Sequence, residues 1–136
     1  MSDSELTCAA VRENRKSAYA VDIDVSGYQL AGDEPEGFGG GGTGPAPYDL
    51  LAAALGECTA MTIRWYAIRN NWPLGHVEVD LSHEKQGKRD VFTKRIKIEG
   101  AELTAEQREK LIEIAAKCPV QRTLEGTPMI TTEKQD

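Results

Sequence analysis

The chain has 136 residues, 40% of them apolar and 28% charged, with a formal net charge of −6. That length suits one domain able to bury a core without disulfide staples, and the acidic balance repels phosphate backbones, so nucleic acid is not an expected partner. The opening MSDSELTCAAVRENRK is not a basic stretch leading into an apolar run, and no segment approaches the ~20 apolar residues of a membrane span. Three cysteines are too few, and an odd number, for a secreted disulfide framework. A soluble chain in a reducing cytoplasm, with free thiols, is the expectation.

Residues 1–14 are polar and expected to be loose, leaving 15–136 as a single domain. From Ser17 the pattern alternates, with Tyr19, Val21, Ile23 and Val25 on one face and Asp22 and Asp24 on the other, as in a half-buried strand. Ser26-Gly27 is a turn signal and Tyr28 to Ala31 reads as the return strand. Residues 32–47, GDEPEGFGGGGTGPAP, form a long loop, in which Asp33, Glu34 and Glu36 read as a solvated acidic stretch. The glycines lack the Gly-Lys-Ser/Thr of a phosphate cradle, and loops of this length are often functional or mobile. A flap over a groove is the expected role.

A long helix is predicted from about Pro47 to Asn70. Proline suits its first position and Asp49 its first turn, where a carboxylate meets the positive end of the helix dipole. Its first two-thirds are apolar almost all round, and such a helix must be covered on every side. One small sheet covers one face, so a second subunit is expected on the other. Beyond Trp72-Pro73 the alternation of Val77, Val79 and Leu81 predicts a strand, Gln86-Gly87-Lys88 a hairpin turn, and Phe92, Ile96 and Ile98 its partner. Thr104 with Gln107 is a capping-box signature opening a second helix, which Pro119 breaks. A short helical turn to Leu124 and a last strand from Thr127 to Thr132 complete the chain. The order suits an α+β fold with antiparallel sheets.

The chemistry-bearing candidates are two helix-borne cysteines. Cys58 shares its face with Leu51, Ala54, Leu55, Met61 and Thr62, company in which a cysteine reads either as a small buried hydrophobe or as a redox thiol. Cys118 precedes Pro119, a good first residue of a new helix, which would set the thiol at a helix N-terminus where the dipole favours thiolate. The two lie 60 residues apart, which is neither a CxxC pair nor a zinc spacing. Cys8 reads as a bystander. His76 and His83, seven positions apart on one strand, point to opposite faces and cannot share a metal. Neither a metal nor an organic cofactor is called for.

The stretch TGPAPYDLLAAALGECTAMT, followed some 60 residues later by AAKCPVQRTL, resembles the OsmC/Ohr family of osmotically inducible and organic-hydroperoxide-resistance proteins over roughly residues 17–132. The resemblance implies an OsmC-like fold, an intertwined homodimer whose long central helices pack back to back, and a small hydroperoxide as substrate. It implies Cys58 as the peroxidatic thiol, oxidised to a sulfenic acid, and Cys118 as the resolving thiol. A dithiol reductant would reset the resulting disulfide.

Two supporting groups of the peroxidase members are missing. Their glutamate, ten residues before the first cysteine, is replaced by Tyr48, with an acid one step later at Asp49. Their arginine has no counterpart, since none occurs between Lys16 and Arg64. Tyr48, Asp49 and Arg122 are the candidate substitutes; for Asp49 a helix-start role is the competing reading, and for Arg122 a solvated surface charge. The residues thus resemble a divergent branch, and two functions stand side by side: a thiol-dependent hydroperoxide reductase, or a dimer of the same fold that binds a small apolar ligand without redox turnover.

Overall fold

The computed structural model describes residues 6–135. The chain divides into two compact units, one ending at Leu51 and the other beginning at Ala52, and the first long helix runs from one into the other.

The first unit carries a three-stranded antiparallel sheet in the order β1-β2-β3, formed by β1 (Ala9–Glu13), β2 (Val21–Val25) and β3 (Tyr28–Gly32). Val11 pairs with Ile23, and Ile23 with Leu30. Ser26 and Gly27 connect β2 to β3 with φ of 51° and 84°. Two consecutive left-handed residues match the twist of a tight hairpin, which is why Ser-Gly works as the turn here. The expected loose segment is corrected at Ala9–Glu13, which forms β1; residues 1–5 of that segment lie outside the described residues. Polar edge strands are easily missed because they lack an apolar face, and the exposed Arg12 meets Asp24 at 3.5 Å.

The acidic loop is also corrected. Asp33 is 4% exposed, and its carboxylate accepts five hydrogen bonds. Oδ1 takes the Ser17 hydroxyl at 2.8 Å and the Glu34 amide at 2.8 Å. Oδ2 takes the Gly41 amide at 3.1 Å and the amide and hydroxyl of Thr43 at 3.2 and 2.8 Å. Because backbone amides in an irregular loop have no ladder to join, one acceptor-only side chain satisfies several at once. Gly40 lies so close to this hub that a Cβ there would run into the Glu34 carbonyl and Asp33 Oδ1.

The helix α1 spans Pro47–Arg69, and Asp49 accepts the Ala46 amide at 2.9 Å, capping its entry. In the second unit, β4 (His76–Gln86) and β5 (Arg89–Glu99) form an antiparallel hairpin, followed by α2 (Ala105–Ala115) and α3 (Pro119–Glu125). The capping box at Thr104 and Gln107 forms in both directions. The hairpin register pairs Val77 with Ile98, Val79 with Ile96 and Leu81 with Lys94. Its half-buried side chains Val77, Ile96 and Ile98 pack with Tyr66, Trp72 and Leu74 around a core of Ile63, Ala67, Leu103, Leu111 and Ala115. A Cβ on Gly56 would stand 3.0 Å from Leu81 Cδ2, so the missing side chain lets α1 approach β4.

Residues 127–135 have no regular structure, which corrects the expected last strand. A strand exists only with a partner for its ladder, and among the described residues neither sheet extends to this segment. Within α1 the buried positions are Leu55, Cys58, Thr59, Thr62, Ile63 and Ala67, a single stripe at helical spacing. Leu51, Met61, Trp65 and Ile68 are exposed.

Candidate functional site

The stripe of α1 brings Cys58 into a cluster of its own. Cys58 is 5% and Cys118 0% exposed, and they pack with Leu55, Leu81, Phe92 and Val120. The local reason is the break between α2 and α3. Cys118 is the N-cap of α3 with Pro119 at the first helical position, and its side chain makes no capping bond. The first amides of a helix have no partner inside it; proline removes one, and the next, Val120 N–H, donates to Cys58 Sγ at 3.5 Å. The two cysteines pack in the same buried cluster. Tertiary packing thus unites two cysteines that the chain separates by 60 positions.

The electrostatics of Cys58 are those of a thiol in an apolar site. Burial pushes it up from its ordinary value; the Val120 amide opposes this, the hydrogen bond and charge of Cys118 add to it, and a hydrogen bond with Thr62 lowers it again. The net direction is upward, because desolvation penalises the thiolate more than one amide and one hydroxyl favour it.

Thr59 and Lys94 complete the cluster. Thr59 Oγ1 lies 2.7 Å from Leu55 O, as its donor, and 3.6 Å from Cys118 Sγ. Lys94 Nζ donates to Thr59 Oγ1 at 3.1 Å and to Ala115 O at 2.7 Å. The strand alternation explains the lysine: Phe92, Lys94, Ile96 and Ile98 are all partly buried, between exposed Thr93, Arg95 and Lys97. A lysine on the apolar side of a strand is the signal the sequence offered, and reading only Phe92, Ile96 and Ile98 passes over it.

The other candidates are placed elsewhere. Tyr48 and Asp49 stand in the first turn of α1, where Asp49 caps and Tyr48 is 48% exposed. Arg122 is exposed on α3 and makes no hydrogen bond to either sulfur among the described residues. Cys8 is exposed. His76 and His83 fall on opposite faces of β4, and no group of three His, Cys, Asp or Glu that could hold a metal occurs among the described residues. No described helix is long and apolar enough to cross a membrane.

The architecture is an α+β protein with antiparallel sheets, a long helix and a buried cysteine pair. Residues 39–133 match the model of the OsmC-like protein family, and the chain belongs to that family. Its fold is similar to that of an OsmC-like protein of Mycoplasma pneumoniae, at TM-score 0.76 and 15% identity over 91% of this chain and 90% of that one. It is also similar to an organic hydroperoxide resistance protein OsmC of Legionella pneumophila, at 0.64 and 20% over 92% and 93%. The organic hydroperoxide resistance protein OhrB of Bacillus subtilis matches at 0.62 and 19% over 90% and 92%. No curated protein matches the chain.

Proposed function

We propose that the protein is a thiol-dependent reductase of organic hydroperoxides, acting through Cys58 and Cys118 in a reducing cytoplasm. The observation that carries this reading is the packing of the two cysteines in one buried cluster. Cys58, the less buried of the pair, takes the peroxide oxygen: its thiol and ROOH give a sulfenic acid and ROH. Cys118 then displaces the sulfenic oxygen, so that Cys–SOH and HS–Cys give a disulfide and water. A dithiol reductant exchanges with that disulfide and returns both thiols. The names of the Legionella and Bacillus relatives agree with the substrate class.

The test is a stoichiometric titration of the reduced protein with an organic hydroperoxide. The expected result is loss of both thiols of the pair and about two mass units per chain, the mark of a disulfide. Persistence of both thiols would overturn the reading. That outcome belongs to the second function, a dimer binding a small apolar ligand without turnover, which is favoured by the upward shift of Cys58 and by the missing arginine and glutamate.

The working unit we propose is a homodimer. Its support is the exposed apolar set Leu51, Met61, Trp65 and Ile68 on α1, of which Met61, Trp65 and Ile68 follow helical spacing. Burying such a stripe contributes about 25 cal/mol per Å². Sedimentation is expected to show a species of twice the 14.9 kDa chain mass, and Trp65→Glu a shift toward single chains; a wild-type monomer at micromolar concentration would refute the dimer.

A further inference from the structure

We propose that Lys94 is a positioning residue of the cysteine pair, which acts through the Thr59 hydroxyl to steady negative charge on the sulfur of Cys118. The inference rests on the reading of Cys58 and Cys118 as a working thiol pair.

The geometry follows from what each group can donate. An ammonium has donors and no acceptor, so Thr59 Oγ1 must accept from Lys94 Nζ at 3.1 Å. The hydroxyl keeps one proton, and two acceptors stand within its reach, Leu55 O at 2.7 Å and Cys118 Sγ at 3.6 Å. While Cys118 is a thiol, the hydroxyl proton goes to Leu55 O and Oγ1 is free to accept from S–H. As the thiol gives up its proton, the hydroxyl turns and donates to the sulfur, with Lys94 polarising it from behind. On the other side the Val120 amide donates to Cys58, which packs with Cys118 in the same cluster. The Lys94–Thr59 chain ends on Cys118, the sulfur that must attack when the disulfide closes. In that step the Cys118 proton and the sulfenic hydroxyl leave together as water, and the passing charge on Cys118 lies one hydroxyl from an ammonium.

The ammonium is held for this role. Lys94 also donates to Ala115 O at 2.7 Å, the last carbonyl of α2, which has no partner further along its helix. Among the described residues it forms no ion pair, so its charge is not spent on a carboxylate. Ionisable groups on the elements packed around the cluster are Cys58 on α1, the half-buried His83 on β4, whose ring lies 4.7 Å from that of Phe92 and which pairs with Asp90, and, along the chain on either side of Cys118, the exposed Lys117 and Arg122.

The experiment reads Cys118 directly and uses no peroxide. Initial rates of iodoacetamide alkylation of reduced protein are measured peptide by peptide across pH, for wild type, Lys94→Met, Lys94→Arg, Thr59→Val and Thr59→Ser. At about pH 7, Cys118 in Lys94→Met is expected to react about tenfold more slowly than in wild type, with the curves converging at alkaline pH where either thiol is ionised. Thr59→Val should behave like Lys94→Met although the lysine is present, and Lys94→Arg and Thr59→Ser should restore the wild-type curve. Opening of the cluster alone would multiply the rate equally at every pH. That result, or superimposed curves for Lys94→Met and wild type, overturns the proposal; if Lys94→Met fails to fold, the Thr59→Val curve decides in the same way. A flat result would leave the hydroperoxide reading standing, and the two failures are distinguishable because the alkylation rates are read without peroxide.

Discussion

Cys118→Ser is expected to change the product of a hydroperoxide titration from a disulfide to an oxidised single cysteine. Cys58 would still take one oxygen, so the chain gains about 16 mass units instead of losing about two. Without the second sulfur no condensation follows, and excess hydroperoxide drives Cys58 on to the sulfinic state. Cys58→Ser is the complementary variant, in which neither product forms within the pair and Cys118 stays reduced. The exposed Cys8 can react on its own account, so the products must be assigned peptide by peptide. The cost of Cys118→Ser to the fold is limited by its neighbours. Position 118 is 0% exposed, where an unpaired hydroxyl costs about 1–3 kcal/mol. Thr59 Oγ1 already stands 3.6 Å from the sulfur and is available to pair with the new hydroxyl. A disulfide mass shift in Cys118→Ser, or an unmodified Cys58 in that variant, would remove the assigned roles.

The second large effect is on the loop organised by Asp33. Asp33→Ala removes the acceptor of five hydrogen bonds, from Ser17, Glu34, Gly41 and twice from Thr43. Amide exchange at Gly41 and Thr43 is expected to rise on the order of tenfold or more, as local opening becomes easier. Asp33→Asn should recover little, because whichever way the amide is turned its NH2 faces two or three donors. The same hub carries a pH dependence. Burial alone would raise the Asp33 carboxyl, but the Thr43 and Ser17 hydroxyls and the Thr43 and Glu34 amides outweigh it and hold the group well below its ordinary value of 3.8. A carboxyl depressed in the folded state contributes stability that is complete above its unfolded value and is lost as pH falls below it. Wild type should therefore lose loop protection progressively below about pH 4, and Asp33→Asn should lose that slope. Equal acid sensitivity in wild type and Asp33→Asn would show that another group controls it.

Which parts of the molecule were readable in advance follows from the range of the interactions involved. Strand β2, the Ser26-Gly27 turn, α1, the β4–β5 hairpin and the Thr104 capping box were legible because each is set by residues within one or two turns of the chain. Pro119 opens α3 after Cys118 for the same reason. Strand β1 was not legible, since its residues AAVRE show no apolar face and take their structure from pairing with β2. The segment after Gly126 had the composition of a strand but finds no partner ladder among the described residues. Asp33 looked like one acid among three in a glycine-rich loop, and its five donors come from positions as far back as Ser17. Lys94 was visible only as an interruption in an apolar alternation, and its partners Thr59 and Ala115 lie on two helices distant along the chain.

The sequence by itself determined the α+β character, the long helix and the family, because helical periodicity, strand alternation, caps and motifs are local properties. Only the tertiary structure decided that Cys58 and Cys118 share one buried cluster, that burial raises the Cys58 thiol, and that a lysine on β5 stands behind Thr59. Those facts depend on which faces meet when α1 packs on the hairpin and α3, and the depth of burial and direction of each hydrogen bond arise only once those elements are in contact.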